Sequence, residues 1–281
     1  MTQPVSKLYI VATPIGNLKD ISLRALEILA SVDLVAAEDT RHTRRLLDHF
    51  EIKQKLIAFH DHNERRQTDL LVDRIKAGES VALVSDAGTP LISDPGFRLV
   101  RAARAADVVV EAVPGASALT AALSVSGLPT DQFQFLGFLP AKGRATRLAE
   151  VSQYPGTIIL YEAPHRMASL LETVLEVLGG DRELVICREL TKLYEQVVQG
   201  LAGEVRDQMI RGEIPARGEF VVLISGATIV QSVAQIELDD CLRLLIAELP
   251  ISKAAELAGK MLGLKRNLVY KRALVLKAEA G

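Results

Sequence analysis

The sequence predicts an α/β protein: two α/β domains followed by a small helical C-terminal extension. Three observations predict it. Short apolar runs recur as far as Ile224, each about as long as a buried strand. In the first half each run leads into turn formers and then a helical pattern, the alternation of a mostly parallel sheet with helices on both faces. In the second half some strands follow one another without a helix between them, which implies a mixed sheet.

The elements follow in order. Leu8–Ala12 is the first strand, Thr13-Pro14-Ile15-Gly16-Asn17-Leu18 a turn, and a helix runs from about Ser22 to Ala30 with Leu23, Leu26 and Leu29 towards the core. Leu34–Ala37 is a strand ending in Glu38-Asp39-Thr40-Arg41-His42, and Arg41, Arg44 and Arg45 open a helical pattern. Lys55–Phe59 reads as a third strand leading into His60-Asp61-His62, and the helix after it is closed by Gly78. Val81–Val84 is a β-branched strand, Phe97–Ala106 an Arg-rich helix, Val108–Val113 a strand, and Pro114-Gly115-Ala116-Ser117-Ala118 opens the helix Leu119–Val125. Gly127-Leu128-Pro129 marks the boundary, giving domains of 1–126 and 127–228.

Phe133–Leu139 and Thr157–Tyr161 are strands, separated by a mobile-looking basic segment with Lys142, Arg144 and Arg147. A helix reaches Leu178, where Gly179-Gly180 stops it. Glu183–Cys187, Gln196–Gln199 and Glu219–Ile224 are further strands, with a helix at about Gly203–Arg211. Residues 226–236 read as a linker. The extension, 237–281, is helical from Leu238; Leu249-Pro250 ends one helix, Ser252 is placed to cap the next, and Gly263-Leu264 turns into the last. That outline resembles a helix-turn-helix. Every charged residue from Lys260 to Lys277 is basic, which suits phosphate contacts or a solvated face.

Composition bounds the function. A net charge of −2 over 281 residues gives no global nucleic-acid signature, so any such surface is local. Cys187 and Cys241 are too few for a disulfide framework. No stretch approaches the ~20 apolar residues of a transmembrane helix, and the start of the chain lacks the pattern of a signal peptide, so a cytoplasmic protein is expected. Neither a dinucleotide glycine fingerprint, a P-loop nor a G-x-S-x-G elbow occurs. His60 and His62 share a strand face by alternation, but no Cys/His cluster supports them, and no metal is expected.

The chain is organised around residues 80–97, SVALVSDAGTPLISDPGF. The strand ends in two successive turn clusters before the next helix. Ligands of open α/β sheets sit outside the carboxyl ends of strands, and this loop is long for a strand–helix connection. A carboxylate, glycines and exposed backbone there suit a polar small molecule.

The strings TPIGNL (13–18), AAEDTRHT (36–43), SDAGTPLISDPG (85–96), VPGASA (113–118), FLGFLP (135–140), YEAPHR (161–166), CRELTKLYE (187–195) and GEFV (218–221) resemble the tetrapyrrole-methylase family, and within it the ribosomal rather than the porphyrin branch. The resemblance covers most of 7–225. It implies S-adenosyl-L-methionine (SAM) folded into the cleft between two α/β domains, a homodimer, and 2′-O-methylation of a cytidine ribose in the decoding region of 16S rRNA, in the 30S ribosomal subunit. DNA and membranes are not implied. This family lacks the dinucleotide glycine fingerprint, in agreement with the sequence.

By the same resemblance the cofactor contacts fall on Pro14, on Ser85, Asp86, Ala87, Gly88 and Thr89, on Ser117 and Ala118, and on Tyr161, Leu190, Pro215 and Ala216. Gly88 admits close backbone approach. Ser117 lies near a helix N-terminus able to take a carboxylate. Asp86 either bonds the ammonium of the methionine moiety or shapes its loop. A ribose hydroxyl is a weak nucleophile that a base or a cation would help. The candidates at strand ends are Glu38, Asp39, Arg41, His60, His62, Glu162, His165 and Arg166, and Glu38, Arg41, His165 and Arg166 are taken as the catalytic set. Arginine stays protonated, so Arg41 and Arg166 suit phosphate better than proton abstraction. Lys192 and Tyr194 are placed at a substrate groove. Arg41, Arg44, Arg45, Arg65, Arg66, Lys142, Arg144, Arg147 and the C-terminal cluster would line a path for RNA. Two alternatives stand beside this: a tetrapyrrole methyltransferase with the same cofactor, and a SAM-binding RNA assembly factor without turnover.

Overall fold

A computed structural model of the chain describes residues 6–227 and 233–279. Contacts group the chain into two compact units, Met1–Ala227 and Thr228–Gly281. The boundary expected near residue 127 thus falls inside the first unit, between its two sheets.

The first sheet comes from strands β1 (Lys7–Val11), β2 (Leu34–Ala37), β3 (Leu56–Ala58), β4 (Val81–Val84) and β5 (Val109–Val113). Their order is β3-β2-β4-β1-β5 and every pairing is parallel. β2 and β4 are buried along their whole length, as apolar strands covered on both faces must be. Helices α1 (Leu23–Ser31) and α2 (Thr40–His49) cover one face through Ala25, Leu29 and Leu47. Helices α3 (Glu64–Lys76) and α4 (Phe97–Ala105) cover the other through Leu71, Ile75, Leu99 and Ala103. Caps set the helix starts: Ser22 Oγ accepts from Ala25 N at 3.1 Å, and Asp39 Oδ1 from Arg41 N at 2.8 Å. For α4 the cap comes from elsewhere. Gly96 has no side chain to offer, and Glu64 Oε1 accepts from Gly96 N and Arg98 N at 3.0 and 3.2 Å. Because the strands are parallel, the loops after β1, β2, β4 and β5 gather at one edge.

Helix α5 (Ala118–Val125) leaves that edge and packs Ala122 and Leu123 on the second sheet, against Ile159, Val185, Val221 and Leu223. The second sheet holds β6 (Phe133–Phe138), β7 (Thr157–Glu162), β8 (Glu183–Arg188), β9 (Gln196–Leu201) and β10 (Phe220–Ile224), in the order β6-β7-β10-β8-β9. Only the β6–β7 pair is parallel. Helices α6 (Arg144–Glu150), α7 (Met167–Leu178) and α8 (Ala202–Ile210) cover its other face through Leu148, Leu170, Val174 and Val205.

The segment read as mobile and basic is therefore helix α6. Arg144 is buried there, with its Nη2 3.3 Å from Glu162 Oε2 and its Nη1 donating to Ser169 Oγ at 2.9 Å. A second departure lies in β6, where the register shifts between Phe135 and Gly137. Gly137 takes φ +62°, and a Cβ there would sit 3.1 Å from Ser93 Oγ, so the bulge brings the second sheet close to the loop after β4.

Among the described residues the second unit is three helices, α9 (Val233–Glu248), α10 (Ile251–Leu262) and α11 (Arg266–Glu279), around Leu238, Leu242, Ala255, Ala258, Val269, Ala273 and Leu276. Gly263 ends α10 at φ +68°. Much of the expected linker lies outside the described residues, and α9 begins inside it at Val233. Ser252 is not a cap: α10 starts one residue earlier, after Pro250, and Ser252 Oγ accepts from Arg266 Nη2 at 3.2 Å. Residues 1–5, part of the start at which no signal peptide is expected, lie outside the described residues. Among the described residues no helix is long and apolar enough to cross a membrane.

Candidate active site

A cavity of about 400 Å³ opens where the loop edge of the first sheet faces the second sheet. Glu38 enters from the end of β2. Asp86, Ala87, Gly88, Thr89, Ile92, Ser93 and Asp94 enter from the loop after β4, and Ser117 and Ala118 from the start of α5. Phe138, Tyr161, Glu162, Ala163, Pro164, Leu190, Glu219, Phe220 and Val221 complete the wall from the second sheet, with Ile15 from the first turn.

The β4 loop is held under strain. Leu91 and Ser93 sit at φ +73° and +69°, conformations that cost a side-chain-bearing residue about 1–3 kcal/mol each. Across the cavity, Glu189 and Thr191 flank Leu190 at φ +53° and +66°. Strain on both walls of one cavity points to a shape kept for a ligand. Gly88, at φ +86°, exchanges backbone bonds with Thr13 at 2.9 and 3.0 Å, and a Cβ there would lie 3.3 Å from Ile15 Cγ2.

One wall is acidic. Asp86 N donates to Glu38 Oε2 at 3.4 Å, and Asp86 Oδ1 accepts from Asp39 N at 3.0 Å. Burial pushes the Glu38 carboxyl up, and the neighbouring charge of Asp86 adds to it. Asp94 is pushed up to about 6, chiefly by burial and then by the charge of Glu38. The opposite corner is electropositive. Ser117 makes no side-chain cap on α5; the Tyr161 hydroxyl accepts from Leu119 N instead, at 3.0 Å. Burial raises the Tyr161 hydroxyl, which keeps it neutral. Its ring packs edge-on against Phe135 and Phe138, with centroids 4.8 and 5.6 Å away. The cavity thus offers carboxylates for a cation, a helix N-terminus for a carboxylate, and apolar walls at Ile92, Phe138, Leu190 and Val221.

The structure gathers Glu38, Asp86, Ala87, Gly88, Thr89, Ser117, Ala118, Tyr161 and Leu190 around this cavity. Other expected residues lie elsewhere. Ser85 is buried behind the loop, its carbonyl accepting from Thr13 Oγ1 at 3.1 Å. Pro215 is half-buried and Ala216 exposed, and neither lines the wall. Arg41 is folded back on Asp39, 2.7 Å away, at the exposed start of α2. His165 is exposed. Arg166 pairs with Glu162 at 3.1 Å and donates to the Leu139 carbonyl, tying β7 to β6. His60 and His62 do not share a strand face: β3 ends at Ala58, and both lie in the turn after it, their rings 5.9 Å apart. Among the described residues no group of three or more His, Cys, Asp or Glu could hold a metal.

Asp94, Phe138, Glu219 and Val221 were missed as site residues. Asp94 carried a signal in the second turn cluster of its loop; Phe138 depends on a bulge that sequence alternation does not show. Pro14 lines a neighbouring cleft of about 280 Å³ with Gly16, Leu18, His42, Arg45, Leu46 and Lys192, and this cleft shares Ile15, Asp86, Ala87 and Glu219 with the main cavity. Lys192 bridges Glu189 and Glu219, each at 2.9 Å. Tyr194 is exposed. Of the arginines expected along an RNA path, Arg144 is excluded by burial and Arg44 donates to the Gln54 carbonyl at 2.9 Å.

Comparison with known proteins matches this architecture. The family model for tetrapyrrole (corrin/porphyrin) methylases matches residues 7–206, and the RsmI C-terminal HTH domain matches 232–277. Ribosomal RNA small subunit methyltransferase I of Pseudomonas aeruginosa is 51% identical over 271 residues, 95% of this chain and 96% of the relative. The protein of the same name from Escherichia coli O157:H7 is 47% identical over 270 residues, 95% of this chain and 94% of the relative. Among solved structures, the methyltransferase CobJ superposes with TM-score 0.59 at 18% identity, covering 79% of this chain and 94% of its own. A uroporphyrin-III C-methyltransferase from Thermus thermophilus complexed with S-adenosyl homocysteine gives 0.54 at 19% identity, covering 78% and 97%. These two share the fold. The chain belongs to the tetrapyrrole methylase family, in its ribosomal RNA small subunit methyltransferase I branch.

Proposed function

We propose that the chain is a SAM-dependent methyltransferase acting on small-subunit rRNA, and that it methylates the ribose 2′-hydroxyl of a cytidine in the decoding region within the 30S subunit. The observation that carries this reading is the cavity between the two sheets. Its size is in the range of small-molecule sites. Its polar groups suit the cofactor's charges: Glu38, Asp86 and Asp94 face a ligand with sulfonium and ammonium cations, and the first turn of α5 suits its carboxylate. The apolar walls suit an adenine ring, and Gly88 gives backbone access. Bound there, SAM supplies an activated methyl group, so the protein needs no metal and no covalent intermediate.

The chain's own residues then align the acceptor and take its proton. Of the four expected catalytic residues, Glu38 is the one that lines the cavity, and Asp94 joins it as a carboxyl able to accept a proton near neutral pH. Arg166 supports the wall through Glu162. His165, which is exposed, is left for contacts with the RNA strand, while Arg41 is held on Asp39. The division of labour we infer gives cofactor binding to the domains 1–126 and 127–228, and RNA capture to 237–281, in a cytoplasmic homodimer.

The test is transfer of labelled methyl from SAM to purified small subunits lacking modifications, with the labelled nucleotide mapped. Label at one cytidine 2′-oxygen is the expected result. No label on subunits or naked rRNA, with binding of the cofactor demonstrated, would overturn the rRNA assignment; transfer to a tetrapyrrole would then identify the substrate.

A further inference from the structure

The cleft beside the main cavity shares part of its wall with it, but its cationic side chains have no role in cofactor binding as described above. We infer that it is the seat of an RNA phosphodiester next to the reacting nucleotide, held by Arg45 and His42 as positioning residues. This rests on the rRNA reading above and adds to it the part of the chain that grips the acceptor strand.

Continuity comes first. An acceptor must reach the cofactor cavity from an adjoining space, and this cleft shares four lining residues with it. Its volume of about 280 Å³ suits one nucleotide-sized group rather than a stack of bases. The donors come next. His42 and Arg45 are three residues apart on α2 and so lie on one face of that helix. Both are exposed, and neither side chain has a hydrogen-bond or ion-pair partner among the described residues.

The cleft's other charged side chains have partners of their own. Lys192 bridges Glu189 and Glu219, and Asp86 accepts from the Asp39 backbone. Among the described residues Arg45 is thus the lining arginine or lysine of the cleft that makes no ion pair; Glu219 is paired with Lys192, and Asp86 keeps its charge for the cofactor cavity it also lines. Its neighbour Arg41 is different: that guanidinium is spent on Asp39. An uncommitted guanidinium beside an imidazole is a donor set for a phosphate oxygen pair. The floor supports the same use. Gly16 lies against the Lys192 side chain so closely that a Cβ would fall 2.4 Å from Lys192 Cγ, so the first turn and the loop after β8 meet there as a fixed wall.

The test is the binding of transcribed small-subunit rRNA to the full-length protein over a range of salt, with S-adenosyl homocysteine affinity measured in parallel. Arg45→Ala is expected to weaken rRNA binding roughly three- to tenfold and to lower the log–log salt slope by about one, as loss of a phosphate contact does. His42→Ala is expected to weaken binding, and Arg45→Lys to restore the slope. Affinity for S-adenosyl homocysteine stays unchanged in all three, which also shows that the variants fold. Wild-type affinity and slope in Arg45→Ala would overturn the inference, as would equal losses in Arg45→Ala and Arg45→Lys. These are binding readouts, so they stand apart from the methyl-transfer assay: rRNA binding lost in Arg45→Ala with no transfer by wild type would sink the activity and keep the cleft.

Discussion

At the scale of single residues, the informative groups are those whose surroundings oppose their charge. Burial pushes the Asp94 carboxyl up to about 6 in the fold, against an ordinary value of 3.8 in the unfolded chain. Between those values the folded chain holds a proton that the unfolded chain has lost, so raising the pH through that window removes stability, and above pH 6 the full cost is present. Asp94→Asn is therefore expected to stabilise the protein at pH 7.5 by roughly 1–2 kcal/mol and to change little at pH 3.5, which thermal melts at the two pH values would show. The same substitution should weaken binding of a cationic cofactor, because the carboxylate it removes faces that charge. A variant that is more stable and binds less well is the usual mark of a site kept for function; equal stability at pH 7.5 would show that Asp94 carries no such cost. Tyr161 makes a second case. Its hydroxyl is the cap that α5 lacks from Ser117, while its ring is fixed by Phe135 and Phe138. Tyr161→Phe keeps the ring and exposes the helix end, so a loss of about 1 kcal/mol in denaturant unfolding is expected. Unfolding at the wild-type denaturant midpoint would remove the cap from the account.

At the scale of elements, the second sheet is fastened by charges buried at the end of β7. Glu162 is 2% exposed and sits between Arg144 of α6 and Arg166. A buried carboxylate between two guanidiniums adds little net stability against an apolar replacement, yet removing one partner is costly. Arg144→Ala is expected to cost about 2–4 kcal/mol, with Arg166 moderating the loss, and to loosen α6 in hydrogen exchange ahead of the rest of the unit; unchanged exchange in α6 would contradict that anchoring. This cluster also shows where sequence reading stops. Lys142, Arg144 and Arg147 look alike in sequence, and only the fold decides that Arg144 points inward while Arg147 pairs with Glu150 at its surface. The strands were legible because β-branched and apolar runs bounded by turn formers carry their own signal. The sheet order was not, since pairing is set by contacts distant in sequence. The Gly137 bulge and the short β3 changed which side chains face the site, and alternation counted from the sequence assumes that neither occurs. That is why alternation alone does not bring Phe138 to the site and does place His60 and His62 on a strand face.

At the scale of the whole molecule, an acidic chain must bind an acidic polymer, so the cations that matter are the uncommitted ones. Six basic residues lie between Lys260 and Lys277, and the three-helix unit already spends two of them. Arg272 donates to Asp239 at 2.8 Å, and Lys260 to Glu256 at 2.8 Å. Lys265, Arg266, Lys271 and Lys277 are exposed and form no ion pair among the described residues. Their sequence pattern was legible; which of them stay available was not, because Asp239 lies more than thirty residues from Arg272 and meets it only in the folded bundle. The unit has its own apolar core, and the first unit carries both sheets and the whole cavity. Ending the chain at Ala227 is therefore expected to leave S-adenosyl homocysteine affinity intact while weakening rRNA binding. Four lost phosphate contacts set the limit on the change in salt slope, at about 3. A larger fall would mean that the truncation disturbs cations elsewhere. An unchanged slope and affinity in a folded truncation would show that the extension does not hold RNA, and would leave the arginines of the first unit, Arg45 foremost, as the contacts that bring the strand to the cofactor.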